Sequence, residues 1–354
     1  MESLLLGSIQ LASVREIARW FGAVQAQDLA SAEWSFGLRL KDSSVQDIDA
    51  AIERREVLRT WPMRGTLHFV PTEDAAWMLE LTGKKALAGA ATRRAYLGLS
   101  EKTVHLAADI LARELEGGKR LLRSQAIECL LAEGIDAGGQ NAHHLLWYAS
   151  QIGVTCIGPN EGKEQTLVLL SEWAPHSCTP ETDEALGILA RRYFQSHGPV
   201  SKQDFMGWTG LSAAEAARGI AVAEPHLASC TVEGKAMWMD NSLFDRASSL
   251  SKSKTSTVHV LPGFDEYLLG IKDRSLFVLK EHMNKIIPGN NGMFMPTMVA
   301  NGMVVGTWKR TIKKAKVEVV PSSFSPLSRT MQSAFEKAFA AYAKYLDLEP
   351  KIGG

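Results

Sequence analysis

Residues 183–198, DEALGILARRYFQSHG, followed by SKQDFMGWTG (201–210) and LSAAEAARGIAVAE (211–224), decide how this chain is read. The first stretch repeats apolar residues at helical spacing and closes at Gly198 and Pro199, which end a helix. Ser201 and Ser212 stand where N-caps of a short second helix and a third helix belong, because a serine hydroxyl satisfies an orphan backbone N–H there. HLASCTVEG (226–234) and KAMWMD (235–240) then read as two short strands meeting near Gly234. Helix, short helix, helix and hairpin is the order of a winged helix, a helix-turn-helix variant with a β wing.

The same order recurs upstream. VHLAADILARELEGG (104–118), LLRSQAIECLLAEG (121–134) and QNAHHLLWYASQIG (140–153) are three helical stretches separated by glycines. VTCIG (154–158) and TLVLL (166–170) follow as a hairpin around PNEGKEQ. A less regular third copy occupies the N-terminus, with helices in SVREIARWFGAV (13–24), SAEWSFGLRL (31–40) and VQDIDAAIERREV (45–57), and a hairpin of VLRTW (57–61) and GTLHFV (65–70). Recurrence at a spacing longer than that of solenoid repeats predicts tandem domains: 1–82, 83–178 and 179–247.

SSLSKSKTS (248–256) reads as a polar linker into a fourth region, 248–354. There the pattern turns to strands: VHVLPGF (258–264), SLFVLK (275–280), GMFMPTMVA (292–300), MVVGTWKR (303–310) and KVEVV (316–320). Asn301-Gly302 between two apolar runs signals a hairpin, since both turn residues must accept positive φ. The amphipathic helix PLSRTMQSAFEKAFAAYAKYL (326–346) closes the chain. The expected class is α+β: tandem winged helices followed by a small β-rich subdomain.

Composition sets outer bounds. The chain has 354 residues, 45% hydrophobic and 22% charged, the profile of an ordinary globular protein large enough for several domains. No run approaches the roughly 18 apolar residues of a membrane span, and MESLLLGSIQLASVRE lacks a basic signal-peptide n-region, so a cytoplasmic protein without membrane association is expected. Lys plus Arg equals Asp plus Glu at 39 each, which argues against retention on nucleic acid by bulk charge alone. A neutral total still permits a basic groove opposed by an acidic back face. Cys129, Cys156, Cys178 and Cys230 are far apart and form no CxxC pair, so buried reduced thiols are expected rather than a metal site.

Hydrolase, kinase and dehydrogenase fingerprints are missing: no GxSxG, no Walker glycine loop, no GxGxxG and no HExxH. The adjacent His143 and His144 point about 100° apart on a helix and read as surface or core residues. Three stretches carry candidate chemistry. In GAVQAQDLASAEW (22–34), Gln25 and Gln27 project to one side if the segment is extended, although surface or capping glutamines look the same. Asp28 suits the N-cap of the next helix. In LRTWPMRGTLHFV (58–70), Arg59, Arg64 and His68 punctuate apolar residues around Trp61 and Gly65. Such arginines suit either a phosphate backbone or an ion pair with Glu33 or Asp28. TWKRTIKKAK (307–316) gathers Lys309, Arg310, Lys313, Lys314 and Lys316, as a DNA-facing strand or a charged strand edge would.

VQAQD (24–28), LRTWPMRGTLHFV, LPGFDEYLLGIKDRS (261–275) and VANGMVVGTWKR (299–310), in this order and at these distances, resemble the AlkZ-like family of winged-helix DNA glycosylases, whose other branch is typified by YcaQ. The resemblance covers nearly the whole chain. It implies three winged helices stacked in a C-shaped arrangement with a β-barrel-like subdomain, around a channel for duplex DNA. It also implies catalysis through a Gln-x-Gln or Gln-x-Asp motif, matched here by Gln25 and Gln27, and so by the Gln-x-Gln branch.

A glutamine amide does not titrate near neutral pH; it orients a water but is no ordinary general base. Such a site suits a leaving group that is already activated, an N7- or N3-alkylated purine whose positive charge weakens the N-glycosidic bond. The resemblance thus implies a monofunctional DNA N-glycosylase for alkylated bases in double-stranded DNA, tolerant of bulky adducts or crosslinks. No cofactor, metal or covalent lysine intermediate is expected, and the protein is expected to be a monomer. Arg59, Arg64, His68, Lys309 and Arg310 are the expected DNA-binding residues, and Asp28, Trp61, Asp265 and Tyr267 are expected to line the site. A non-catalytic winged-helix DNA-binding protein or transcription regulator would keep the same helices and arginines.

Overall fold

The computed structural model describes residues 1–249 and 257–353; residues 250–256 of the expected polar linker lie outside the described residues. The chain divides into two compact units, each assembled from separated stretches. The first comprises Met1–Ile48, Ala190–Trp208 and Ala223–Gly354, and the second Asp49–Leu189 and Thr209–Val222. These borders fall inside two of the four segments read from the sequence, 1–82 and 179–247, so those segments group neighbouring elements without coinciding with the compact units.

Within the second unit, the strands run in the order Thr66–Pro71, Val57–Met63, Thr155–Ile157, Thr166–Leu169 and Leu121–Leu122 across one sheet. Both expected hairpins are present and antiparallel, with Val57 opposite Pro71 and Thr155 opposite Leu169. The helix Ala75–Gly89 packs on the strand Val57–Met63, with Thr82 Oγ1 donating to the Pro62 carbonyl, and buries Trp77, Met78 and Leu79. The helices Glu101–Leu115, Arg123–Ala132 and Gly139–Gln151 match the three stretches read at 104–153. Ser100 caps the first of them by accepting from Thr103 N.

The first unit is built on a five-stranded sheet in the order Glu349–Ile352, Lys316–Ser323, Met303–Ile312, Thr297–Ala300 and Val258–Leu261. All its pairs are antiparallel except Lys316–Ser323 with Glu349–Ile352. Asn301 (φ 50°) and Gly302 (φ 78°) make the expected tight turn, a conformation asparagine and glycine adopt at little cost. The C-terminal helix Arg329–Tyr345, capped by Ser328, lays Phe335, Phe339 and Tyr342 on the sheet, where Trp308 meets the rings of Phe339 and Tyr342. Burying this aromatic cluster stabilises the unit by on the order of 1.5–3 kcal/mol per large apolar side chain.

One expected strand is absent. SLFVLK (275–280) forms a turn, because the Asp273 carboxylate accepts from Ser275 N and Oγ, and the Arg274 carbonyl accepts from Phe277 N and Val278 N. Only Val278 of that apolar run is deeply buried; Leu276 and Leu279 are exposed. Along residues 182–240, the helices are Thr182–His197, Lys202–Thr209 and Ala213–Ala223, and the hairpin is Leu227–Val232 with Lys235–Asp240. Ser201 and Ser212 each form a reciprocal capping box, with Asp204 and with Glu215.

Cys156 is fully buried and its thiol is pushed up by burial, whereas Cys178 is exposed, so the expectation of uniformly buried thiols is corrected. Among the described residues, no helix is long and apolar enough to cross a membrane.

Candidate active site

The Gln-x-Gln segment lies in the first unit, between the helix Val14–Phe21 and the helix Leu29–Gly37. Ser13 caps the former by accepting from Glu16 N, and Gly22, at φ 80°, ends it. The chain then extends through the two-residue strand Val24–Gln25. Gln25 is buried and its Oε1 has no hydrogen-bond partner among the described residues. Ala26 is buried and Gln27 is exposed. A buried amide oxygen left without a partner costs about 1–3 kcal/mol, a cost usually retained where the group has a task.

Asp28 occupies the N-cap position of the helix Leu29–Gly37, but its carboxylate makes no capping hydrogen bond. It accepts from Ser31 Oγ at 2.6 Å and from Arg310 Nη2 at 3.2 Å. Arg310 Nη1 also donates to the Tyr342 hydroxyl at 3.2 Å. Arg310 shares a strand face with the buried Trp308, so its guanidinium lies over the Tyr342 ring, 6.0 Å from the centroid. Lys309 points to the opposite, exposed face. The two expected DNA-binding residues of this strand therefore do not share one surface.

Asp265 and Tyr267, expected to line the site, have structural duties. Asp265 takes a two-pronged ion pair from Arg39, at 2.8 and 2.9 Å, and hydrogen bonds from Ser35 Oγ and Tyr267 N. Burial works to raise its carboxyl, but the Arg39 charge and these donors hold it below the ordinary range. Tyr267 is buried, donates its hydroxyl to the Gly302 carbonyl at 2.7 Å, and is raised by burial. The next carboxylate, Glu266, was not singled out in the sequence. It is 1% exposed and accepts from Gln25 N at 3.2 Å, which puts it in contact with the Gln-x-Gln backbone. Its only local signal is a second acid beside Asp265, ahead of the apolar Tyr267-Leu268-Leu269.

Arg59, Trp61, Arg64 and His68 belong to the second unit. Arg59 is buried on the strand Val57–Met63, donates to Asn160 Oδ1 at 2.8 Å and lies over the Phe69 ring. His68 is fully buried, with Nδ1 2.8 Å from the Thr66 carbonyl, and Trp61 is half-buried. Neither Arg59 nor His68 presents a side chain at the surface. Arg64 does: it is exposed at the tip of the hairpin, where Arg64 (φ 53°) and Gly65 (φ 67°) both adopt left-handed backbone. Among the described residues, no group of three or more His, Cys, Asp or Glu is placed to hold a metal ion.

The sequence matches the DNA glycosylase AlkZ-like family over residues 18–345, and the chain belongs to that family. It is 28% identical over 341 residues to an interstrand DNA cross-link repair glycosylase of Streptomyces sahachiroi, covering 91% of this chain and 87% of the relative. The solved structure of Streptomyces sahachiroi DNA glycosylase AlkZ superposes on all of this chain and 97% of its own, with a TM-score of 0.81 at 24% identity.

Proposed function

We propose that this protein is a monofunctional DNA repair glycosylase that hydrolyses the N-glycosidic bond of cationic N7- or N3-alkylated purines in double-stranded DNA, including bulky adducts or crosslinks. The observation that carries this reading is the Gln25-Ala26-Gln27 segment, which combines a buried, unpartnered amide oxygen with an exposed amide two residues on. Gln25 and Gln27 orient the attacking water, since an amide both donates and accepts. The lesion's positive charge supplies the leaving-group activation that a glutamine cannot supply as an acid or base. Amide dipoles and DNA phosphates stabilise the oxocarbenium-like sugar. The tandem winged-helix grouping supplies the DNA-binding frame, with Arg64 and Lys309 on exposed surface as phosphate contacts. The protein acts as a cytoplasmic monomer without a cofactor. The relative's name, a cross-link repair glycosylase, extends the substrate range to be tried to crosslinks.

The test uses purified protein and duplexes carrying N7-methylguanine, a bulky N7-guanine adduct or an N7–N7 interstrand crosslink, followed by alkaline cleavage of abasic sites. Strand breaks above spontaneous depurination are expected for at least one of them. Release at the spontaneous rate from all three, with a discrete footprint on undamaged genomic DNA, would instead identify a sequence-reading regulator.

A further inference from the structure

We infer that Glu266 is the positioning residue of the Gln-x-Gln segment: its buried carboxylate fixes the peptide plane that carries Gln25. The inference rests on the catalytic reading of Gln25 given above. Three donors from three separate stretches converge on this side chain. Oε1 accepts the Gln25 backbone N–H at 3.2 Å. Oε2 accepts the Trp208 indole N–H at 3.0 Å, and His197 Nε2 lies 3.2 Å from it. A carboxylate only accepts, so Nε2 carries the His197 proton in this contact.

Each donor is itself immobilised. Trp208 is buried at the end of the helix Lys202–Thr209, and its ring packs 5.1 Å from that of Tyr193. His197 stacks on Tyr193 at 4.6 Å, and its Nδ1 lies 2.8 Å from Ser196 Oγ. The approach of His197 requires the glycine at 270, because a Cβ there would overlap the imidazole. Glu266 is fixed as well. It opens the short helix Glu266–Leu269, whose N-cap Asp265 is clamped by Arg39.

Two adjacent acids thus divide the work: Asp265 anchors the turn to Arg39, and Glu266 reaches the catalytic strand. Burying a carboxylate costs several kcal/mol before its partners compensate, and an apolar side chain would fill the space at less cost. What the carboxylate adds is direction. A charge-assisted acceptor on the Gln25 N–H fixes the backbone from which the Gln25 amide must reach the reacting atoms, where a displacement near 1 Å costs about 100-fold in rate.

The experiment compares wild type, Glu266→Ala and Glu266→Gln by single-turnover excision at saturating enzyme, duplex affinity, and hydrogen exchange of the Gln25 amide in ¹⁵N-glutamine-labelled protein. Glu266→Ala is expected to slow excision at least about tenfold with duplex affinity retained, and to speed Gln25 exchange by a similar factor. Glu266→Gln keeps a carbonyl oxygen for the Gln25 N–H and is expected to recover part of both losses. It also serves as the informative variant if Glu266→Ala fails to fold. Wild-type exchange at Gln25 in both variants overturns the inference, as does equal damage in both confined to duplex affinity. A wild-type protein that excises nothing overturns the catalytic reading alone, since the exchange measurement still decides whether Glu266 holds Gln25.

Discussion

Arg310 Nη2 lies 3.2 Å from Asp28 Oδ2, joining the C-terminal sheet to the residue that follows Gln27 across 282 positions of sequence. Asp28 is 48% exposed in its side chain and Arg310 15%, so the pair adds at most about 1 kcal/mol to stability. Its effect is to occupy both groups: the Asp28 carboxylate is engaged by Ser31 and Arg310, leaving the segment between Ala26 and the helix Leu29–Gly37 tethered at its far end. Gln25 is tethered at the near end by Glu266.

An Asp28→Asn substitution follows from this arrangement. If Asp28 only holds Arg310, the variant keeps excision within about tenfold of wild type, because an amide oxygen still accepts from Ser31 and Arg310. A loss of about 100-fold or more in the single-turnover rate, with duplex affinity intact, would make Asp28 a general base.

Asp265 is expected to matter for folding. Replacing it by Asn leaves the buried Arg39 guanidinium without its counter-charge, which costs about 3–5 kcal/mol. Denaturant unfolding of Asp265→Asn and of the double variant Arg39→Met/Asp265→Leu checks this. The double variant should be the more stable of the two, since it removes both charges from the interior.

These assignments mark what was legible in the sequence. The turn at Asn301-Gly302 and the caps at Ser201 and Ser212 were readable because each is a local rule: positive φ, or an orphan N–H. The run at 275–280 misled because its apolar letters suit a strand, while the Asp273-Ser275 side-chain hydrogen bonds, which periodicity does not register, dictate a turn. The strand Glu349–Ile352 carried no β signature; it is an exposed edge strand, where Pro350 is tolerated. Gln25 and Gln27 came from the motif alone. Glu266 escaped notice because its meaning lies in partners 58, 69 and 241 positions away. Arg59 and Arg64 were indistinguishable as letters, and only the hairpin geometry separates the strand-borne, buried one from the turn-borne, exposed one.

That separation predicts opposite phenotypes. Arg59→Ala should destabilise the protein by about 1–3 kcal/mol, through the lost hydrogen bond to Asn160 and the packing on Phe69. Arg64→Ala, at the exposed hairpin tip, should cost less stability than Arg59→Ala. It should weaken binding to damaged and intact duplex alike and reduce the slope of log affinity against log salt by about 0.9 for one phosphate contact. Thermal melts and a salt titration of duplex binding distinguish the two.

Acid should destabilise the protein through His259. Burial, with the nearby Arg39 charge, lowers this imidazole to about 4, the Asp265 charge opposing them. Between about pH 6.5 and pH 4 the unfolded chain binds a proton that the folded chain refuses, so stability falls as pH falls through that window, by about 3 kcal/mol at most. His259→Gln should flatten this slope by one proton in denaturant midpoints measured from pH 7 to pH 4. An unchanged slope would assign the acid sensitivity to other groups.

The two motif glutamines should separate from the scaffold most clearly in Gln27. Being exposed, it contributes little to the core, so Gln27→Ala should leave the melting temperature and duplex affinity nearly unchanged. If its amide orients the attacking water, excision falls at least about tenfold, the 1.4 kcal/mol commonly lost with one transition-state contact. Gln27→Glu is the sharper variant. A carboxylate there can accept the water's proton or stabilise developing positive charge, but it also repels phosphates, so its rate must be read at saturating enzyme. Activity kept or raised in Gln27→Glu with Gln27→Ala impaired supports a direct role in hydrolysis. Wild-type rates in both variants would reduce the exposed glutamine to a helix-entry feature and leave the chemistry to Gln25 or Asp28.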